Sequence, residues 1–475
     1  MGKADYKWIA LSCTTIGALF SVLSGSTLMI ALPVIMKDLN AGMGIIMWTV
    51  MGYMLSLTIL VPSIGRIADM FGRKKLYVFG FSLFTAASLF CSLSSTGLQL
   101  LIFRMIQSVG GALMVANSTA IIADAFPKGE LGKALGINSM IISVAGVIGP
   151  ILGGFLTNFG WRSIFYINVP IGVFGTIWAG LSLREMEKPS RDETFDFKGT
   201  FSFTLGMLSL LIAITIGGFT SWENTPVVAL FIAAFVLIIL FLHIESCVKY
   251  PMLDLRLLKT RLLAAAYAST LLNGIARGAV MFLIIFFFES TKGVSPVMSG
   301  ILLAPFAIAM MVSSPISGIL SDKYGARILS SLGLVVSAVG LLGLMEISLN
   351  SSIISISIWM MIMGIGSGFF FSPNTSAIMN SVPSHKRGVA AGVRTMANNA
   401  GTVLSIAISM AILSSSVPHG AIQTLFVHTG LHSSAKFISG LRTVFTISFF
   451  FSLFAAFISF LRGSPPKWDS ESAKE

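Results

Sequence analysis

Gly65-Arg66-Ile67-Ala68-Asp69-Met70-Phe71-Gly72-Arg73-Lys74-Lys75 lies between two long apolar runs. The first run stops, the chain turns within a few residues, and the second run starts at Leu76. One carboxylate and four cations are packed into that turn. The pattern returns as Gly318-Ile319-Leu320-Ser321-Asp322-Lys323-Tyr324-Gly325-Ala326-Arg327, at a constant offset of 253 residues, with Pro62 and Pro315 three residues ahead of the copies. A single basic turn of this kind need only orient helices in a bilayer. Its return with the same Gly, Asp and Gly spacing points to a duplicated hinge between membrane helices. Gly65 and Gly72 permit a tight turn with backbones close together. Asp69 can pair with the nearby cations or cap a helix start on a facing segment. Gly65, Asp69, Gly72, Arg73, Asp322 and Arg327 are therefore the candidates for a latch that holds one conformation and breaks in another.

The composition agrees with a membrane setting. The chain has 475 residues, 55% hydrophobic and 11% charged, with a mean hydropathy of +0.89. A soluble domain would carry about a quarter charged residues. Apolar runs of bilayer-spanning length recur from end to end, which predicts an all-α membrane protein; the short alternating segments of a β-barrel are absent. The first run, Trp8 to Met36, is too long for a signal-peptide core. The net charge of +12 is scattered through short loops, which argues for topogenesis and against nucleic acid as a partner. Cys13, Cys91 and Cys247 sit in apolar runs and support neither a disulfide framework nor a metal site, and no cofactor is expected.

Fourteen spans are predicted, at about 8–34, 45–65, 76–94, 99–123, 134–156, 163–183, 200–219, 227–247, 263–288, 297–317, 328–348, 353–376, 390–413 and 439–462. With the N-terminus inside, twenty-three of the 31 cations fall in inner segments and only four in outer ones. Arg104, Arg277, Arg394 and Arg442 fall within spans. That asymmetry predicts a multi-pass cell-membrane protein with both termini cytoplasmic. A second repeat, Pro127-x4-Gly132-x-Ala134-x-Gly136 against Pro383-x4-Gly388-x-Ala390-x-Gly392, is offset by 256 residues. It predicts two matching six-helix bundles, 1–184 and 258–463, with an inserted helix pair in 185–257 and a cytoplasmic tail, 464–475. Duplicated halves are the usual architecture of secondary transporters, whose site lies between them near mid-bilayer.

Polar residues inside apolar runs are the remaining signals. Arg104 opens Arg104-Met105-Ile106-Gln107-Ser108-Val109-Gly110-Gly111. A cation at that depth costs about 2.5–3.5 kcal/mol and faces a cavity or partner, unless it snorkels to the headgroups. Gly146, Gly149, Pro150, Gly153 and Gly154 stripe the fifth span, which suits close helix packing and a bend. Trp161-Arg162 and Phe165-Tyr166-Ile167-Asn168-Val169-Pro170-Ile171-Gly172 read as interfacial anchoring. His419, His428 and His432 lie in a predicted solvated outer loop; two histidines four apart without a third ligand do not make a metal site.

In this order and topology the motifs resemble the major facilitator superfamily, in its fourteen-helix drug:proton antiporter branch (EmrB/QacA-like), over nearly the whole chain. Gly65–Lys75 resembles its loop motif between helices two and three. Arg104, Gln107 and Gly110 are similar to its fourth-helix motif. Gly146–Gly154 is similar to its antiporter motif, with the first small position at Ala145. The Trp161-Arg162 to Gly172 string looks like that of the fourteen-helix branch. The resemblance implies a secondary active transporter, driving proton-coupled efflux of amphipathic small molecules by alternating access and working as a monomer in the lipid bilayer.

One position departs from the pattern. Relatives carry an acid in helix one, before an Asn-Val-Ala-Leu-Pro string; here the acid position is Ser24 and the Asn position is Met29. No carboxylate falls in the middle of a span, whereas Arg277 does. The coupling candidates are therefore Arg104, Asp69, Glu289 and Glu346. The cavity candidates are Ser24, Gln107, Asn117, Asn273, Arg277 and Asn374, with Arg277 and Arg104 favouring neutral or anionic cargo. The alternatives are an importer or lipid or metabolite carrier of the same fold, or a membrane sensor or enzyme. His-Glu-x-x-His, Gly-x-Ser-x-Gly and phosphate-loop motifs are absent, which argues against the last.

Overall fold

The computed structural model describes residues 3–186, 195–219, 222–249, 251–253, 259–294, 296–416 and 435–463. His419, His428, His432 and the tail 464–475 lie outside the described residues. Among those described there is no strand. The first half contains α1 (Lys3–Asp38), α2 (Met43–Phe71), α3 (Arg73–Ser92), α4 (Gly97–Ala125), α5 (Leu131–Thr157), α6 (Ser163–Tyr166) and α7 (Asn168–Ser182). An inserted pair follows, α8 (Phe197–Phe219) and α9 (Thr225–Cys247). The second half contains α10 (Arg261–Lys292), α11 (Pro296–Leu302), α12 (Ala304–Tyr324), α13 (Ala326–Met345), α14 (Ile353–Asn380), α15 (Arg387–Ser416) and α16 (Ala435–Phe460).

Among the described residues, fourteen helical stretches are long and apolar enough to cross a bilayer, in the order expected from the sequence. Two of them are broken, α6–α7 at Ile167 and α11–α12 at Leu303. Each break lies a few residues ahead of a proline, Pro170 and Pro305, which cannot donate to the carbonyl four residues earlier. Local chemistry sets other ends. Thr96 caps α4 by accepting from Gln99 N, while the Gln99 side chain accepts from Ser95 N in return.

The opening motif differs from a loop. α2 runs through Asp69 to Phe71 and α3 starts at Arg73, so the turn is a single residue, Gly72, at φ 105°. Gly325 does the same between α12 and α13 at φ 85°. Side chains other than glycine rarely adopt this backbone region. The first N–H groups of α3 need acceptors, and Glu185 supplies them: Arg73 N and Lys74 N donate to its carboxylate at 2.8 and 3.2 Å. The cations expected in a loop are thus the first turn of a helix.

The halves meet at the end that carries these turns, here called the motif face. α2 packs on α15 and α5 on α12. An apolar cluster there draws Ile122, Phe126 and Leu131 from one half and Leu263, Tyr267 and Val389 from the other. Toward the opposite face the buried clusters each belong to one half, around Leu28, Ile46 and Phe165 or around Phe287, Met360 and Phe445. On α5, Gly149 and Gly153 press against Ser26 and Thr27 of α1, while a Cβ on Gly146 would meet nothing within 4 Å. Gly154 lies in the same helix and is partly buried. Pro150 is also in α5; its side chain lies outside the described residues. The inserted pair packs across the seam, with Phe203, Met207 and Leu211 beside Leu55 and Ile59 of α2 and Ala400 of α15.

Candidate functional site

The two sequence repeats interlock crosswise at the motif face. Asp69, near the end of α2, accepts from Gly388 N at 3.1 Å and Val389 N at 3.2 Å. These are the second and third residues of α15, whose first-turn N–H groups are otherwise free and carry the positive end of the helix dipole. Asp322, near the end of α12, accepts from Gly132 N at 2.8 Å and Lys133 N at 3.0 Å, the second and third residues of α5. Gly65 faces Gly388 and Gly318 faces Gly132, backbone against backbone; a Cβ at any of the four would overlap atoms of the facing helix. Small residues are what let these carboxylates reach the opposite helix starts.

The two junctions differ in charge. At the first, Arg73 donates to Asp69 from Nε at 3.1 Å and Nη2 at 2.7 Å. It also pairs with Asp124 and donates to the Ser384 carbonyl. Arg387 reaches across from the second half to Asp124 Oδ1 at 2.9 Å and to the Ala123 carbonyl at 2.8 Å. Asp69 and Arg73 are 7% and 3% exposed, so this network is screened little by water. At the second junction Arg327 does not join Asp322. It is exposed and donates to the Phe460 carbonyl at 2.7 Å, within its own half. Sequence reasoning passed over Asp124 and Arg387; the available signal was an acid closing one span and a cation immediately ahead of Gly388 in the second repeat.

A second polar cluster lies within the first half. Arg104 is fully buried and does not reach the headgroups. Its Nη1 donates to Gln107 Oε1 at 2.6 Å and Ser24 Oγ at 3.1 Å, and Gln107 Nε2 donates to Ser88 Oγ at 2.6 Å. The guanidinium lies 4.3 Å from the centre of the Tyr53 ring, a cation–π contact. Its Nη2 has no hydrogen-bond partner.

In the second half Asn273 and Arg277 stand one turn apart on α10, and Asn273 Nδ2 and Arg277 Nε are both buried without partners. Arg277 lies 5.1 Å from the Phe371 ring of α14. Asn374, also on α14, donates to Thr270 Oγ1 at 2.9 Å and ties that helix to α10. Asn117 Nδ2 is spent on the Leu113 carbonyl, leaving its Oδ1 buried and unpartnered. Arg394 on α15, which the sequence did not single out, is a partly buried cation whose Nε is buried and unpartnered. Glu289 is half-buried at the end of α10 and Glu346 is exposed after α13; neither is brought to Arg104.

At the opposite face Asp38 accepts from Trp161 Nε1 at 2.8 Å and Arg162 Nη1 at 2.7 Å, and Arg162 Nη2 donates to the Ser94 carbonyl. The Trp161-Arg162 pair thus ties the end of α1 to the α3–α4 turn. The Trp161 indole, then Arg162, hold the Asp38 carboxyl below its ordinary range. A carboxyl depressed on folding stabilises the fold above its unfolded value, about 3.9, and loses that contribution as pH falls through the folded value. The wild type is therefore expected to melt above Asp38→Asn near neutrality. The gap should close in acid, as read by melting curves of both proteins across pH.

The family model described as Major Facilitator Superfamily matches residues 14–247 and 266–475. The chain is 33% identical to the riboflavin transporter RibZ of Clostridioides difficile over 413 residues, 86% of this chain and 88% of that one. It is 32% identical to the multidrug transporter protein MdtP of Bacillus subtilis over 392 residues, 82% of this chain and 72% of that one. In fold it is similar to the human organic anion transporter MFSD10, with a TM-score of 0.67 at 13% identity, covering 95% of this chain and 99% of that one.

Proposed function

The chain belongs to the major facilitator superfamily, in the branch that holds drug exporters, and from that premise we propose that it is a proton-driven exporter of amphipathic small molecules working by alternating access. It is a multi-pass membrane transporter and not an enzyme. The observation that carries the reading is the crosswise junction: two carboxylates, Asp69 and Asp322, each holding a helix start of the other half at one face. Contacts of this kind close a gate and can be exchanged when the other gate closes. The motif face is taken as cytoplasmic, in a cell membrane, because the basic residues concentrate there. On this reading 1–184 and 258–463 are the two moving bundles, and 185–257 carries the insert.

The charges available to a cargo in the spans support neutral or anionic compounds over cations. Arg104 is fully buried and Arg277 and Arg394 are partly buried, each with one buried nitrogen that has no partner, and a desolvated guanidinium nitrogen without a partner favours an anionic or hydrogen-bond-accepting ligand. Arg277→Ala is expected to lower transport of anionic compounds about tenfold or more, as for loss of one charged hydrogen bond, and to spare neutral ones. Equal transport of every cargo by that variant would remove Arg277 from the site.

Proteoliposomes with an imposed pH gradient, loaded with neutral and anionic amphipathic dyes, test the whole reading. Flux against the proton gradient, with its collapse as dye moves, is expected. Flux that ignores a protonophore would overturn proton coupling. A second reading, movement of a riboflavin-like heterocycle, is favoured by the likeness to RibZ over most of both chains. Riboflavin in the same assay distinguishes the two by the sign of its flux.

A further inference from the structure

At the motif end of the inserted pair, two carboxyl groups face each other in the protein interior. Asp196 stands at the head of α8. Its Oδ1 accepts from Gly199 N at 2.8 Å, and its Oδ2 is buried without a partner. Glu245 lies in the last turn of α9. Its Oε2 accepts from Leu253 N at 3.2 Å, and its Oε1 is buried without a partner. The residues are 8% and 5% exposed. Both orphan oxygens converge above Gly199, where a Cβ would overlap Asp196 Oδ2 and lie 3.1 Å from Glu245 Oε1. The absence of a side chain at residue 199 is what makes their approach possible.

Two ionised carboxylates facing one another out of water repel, and each orphan oxygen also carries a desolvation cost. A proton on either group removes the repulsion and supplies a donor in the space that both orphan oxygens face. Such a pair titrates as a unit, not as two separate acids. The other charged groups nearby are Arg66 on α2, whose field reaches Glu245, and Lys198 and Lys249, both exposed.

The pair is also joined mechanically to the gate. Glu245 holds the segment after α9, in which Met252 is 2% exposed and its Sδ accepts from Ser63 Oγ of α2 at 3.4 Å. Ser63 lies two residues before Gly65 and one turn and a half before Asp69. The insert packs on α2 and α15 together, the two helices that separate if the motif face opens.

We propose that Asp196 and Glu245 form a proton-binding site on the inserted helix pair, which holds one proton while α2 and α15 are closed and sets the pH at which they part. The site does not depend on transport being proton-driven: it is a property of the gate, and holds for either direction of flux.

The test uses the reconstituted full-length protein. Infrared spectra are expected to show a protonated-carboxyl stretch near neutrality that is lost in Glu245→Gln and in Asp196→Asn. Labels on the turns 128–130 and 384–386, one from each half, report opening of the gate against pH. The wild type is expected to open with a pH midpoint that Glu245→Gln moves by about one unit or more, or abolishes. A stretch that persists in both variants, or an unchanged midpoint in Glu245→Gln, overturns the proposal. So does a spacing that responds to a chelator in place of pH, since the occupant would then be a metal ion. If either variant fails to fold, the wild-type stretch and its disappearance with rising pH decide the matter alone. Failure of pH-driven dye flux leaves these readouts unaffected, so the two readings fail separately.

Discussion

Asp69→Asn is expected to weaken closure at the motif face about ten- to a hundredfold, while the protein still inserts. The carboxylate accepts from two helix-start N–H groups and from Arg73. Hydrogen bonds to charged groups are worth about 1.5–3 kcal/mol, and about 1.4 kcal/mol is tenfold in an equilibrium. Asparagine keeps one acceptor oxygen and loses the charge that Arg73 answers. Labels on the 128–130 and 384–386 turns should move apart in the variant under conditions where the wild type stays closed. Asp322→Asn is expected to act in the same direction but more weakly, about a fewfold to tenfold, because Arg327 contacts Phe460 and adds nothing at that junction. Equal effects at the two sites would refute the asymmetry, and loss of insertion in Asp69→Asn would reduce the motif to an orienting turn.

Arg104→Lys is expected to lose most transport although it keeps the charge. Lysine is a point donor on a flexible stem. It cannot hold Gln107 Oε1 and Ser24 Oγ in one plane while lying flat on Tyr53. Each buried polar group left without a partner costs about 1–3 kcal/mol, so a melting temperature lower by several degrees should accompany the loss. Ser24→Ala removes one acceptor and is expected to be milder. Ser24→Asp places a counter-charge beside the guanidinium and is expected to raise melting temperature and to shift transport toward cationic dyes. Indifference of both stability and transport to Arg104→Lys would leave the cluster as mere packing.

The order and number of spans were legible because bilayer-length apolar runs and loop charge are one-dimensional signals. The repeated Gly, Asp and Gly spacing marked the two glycine turns for the same reason. What could not be read was how short the hinge is. Arg73, Lys74 and Lys75 look like loop residues until Glu185, more than a hundred positions away, is seen to accept from the start of α3. The Asp124–Arg387 pair spans 263 positions and crosses the halves, so neither residue carried a local sign of its partner. Where the insert packs carries no local sign either; only its contacts with both α2 and α15 reveal that it covers the seam. Asp196 and Glu245 were hidden similarly, as an ordinary helix cap and a span-ending acid.

The reciprocity of Asp69 and Asp322 has a mechanical outcome. Each half lends an acid to one junction and a helix beginning to the other, so neither half is the bolt and neither the socket. For the face to part fully, both fastenings have to yield. If the protein works by alternating access as proposed, such a clasp resists a leak through one loosened corner and makes half-open forms scarce.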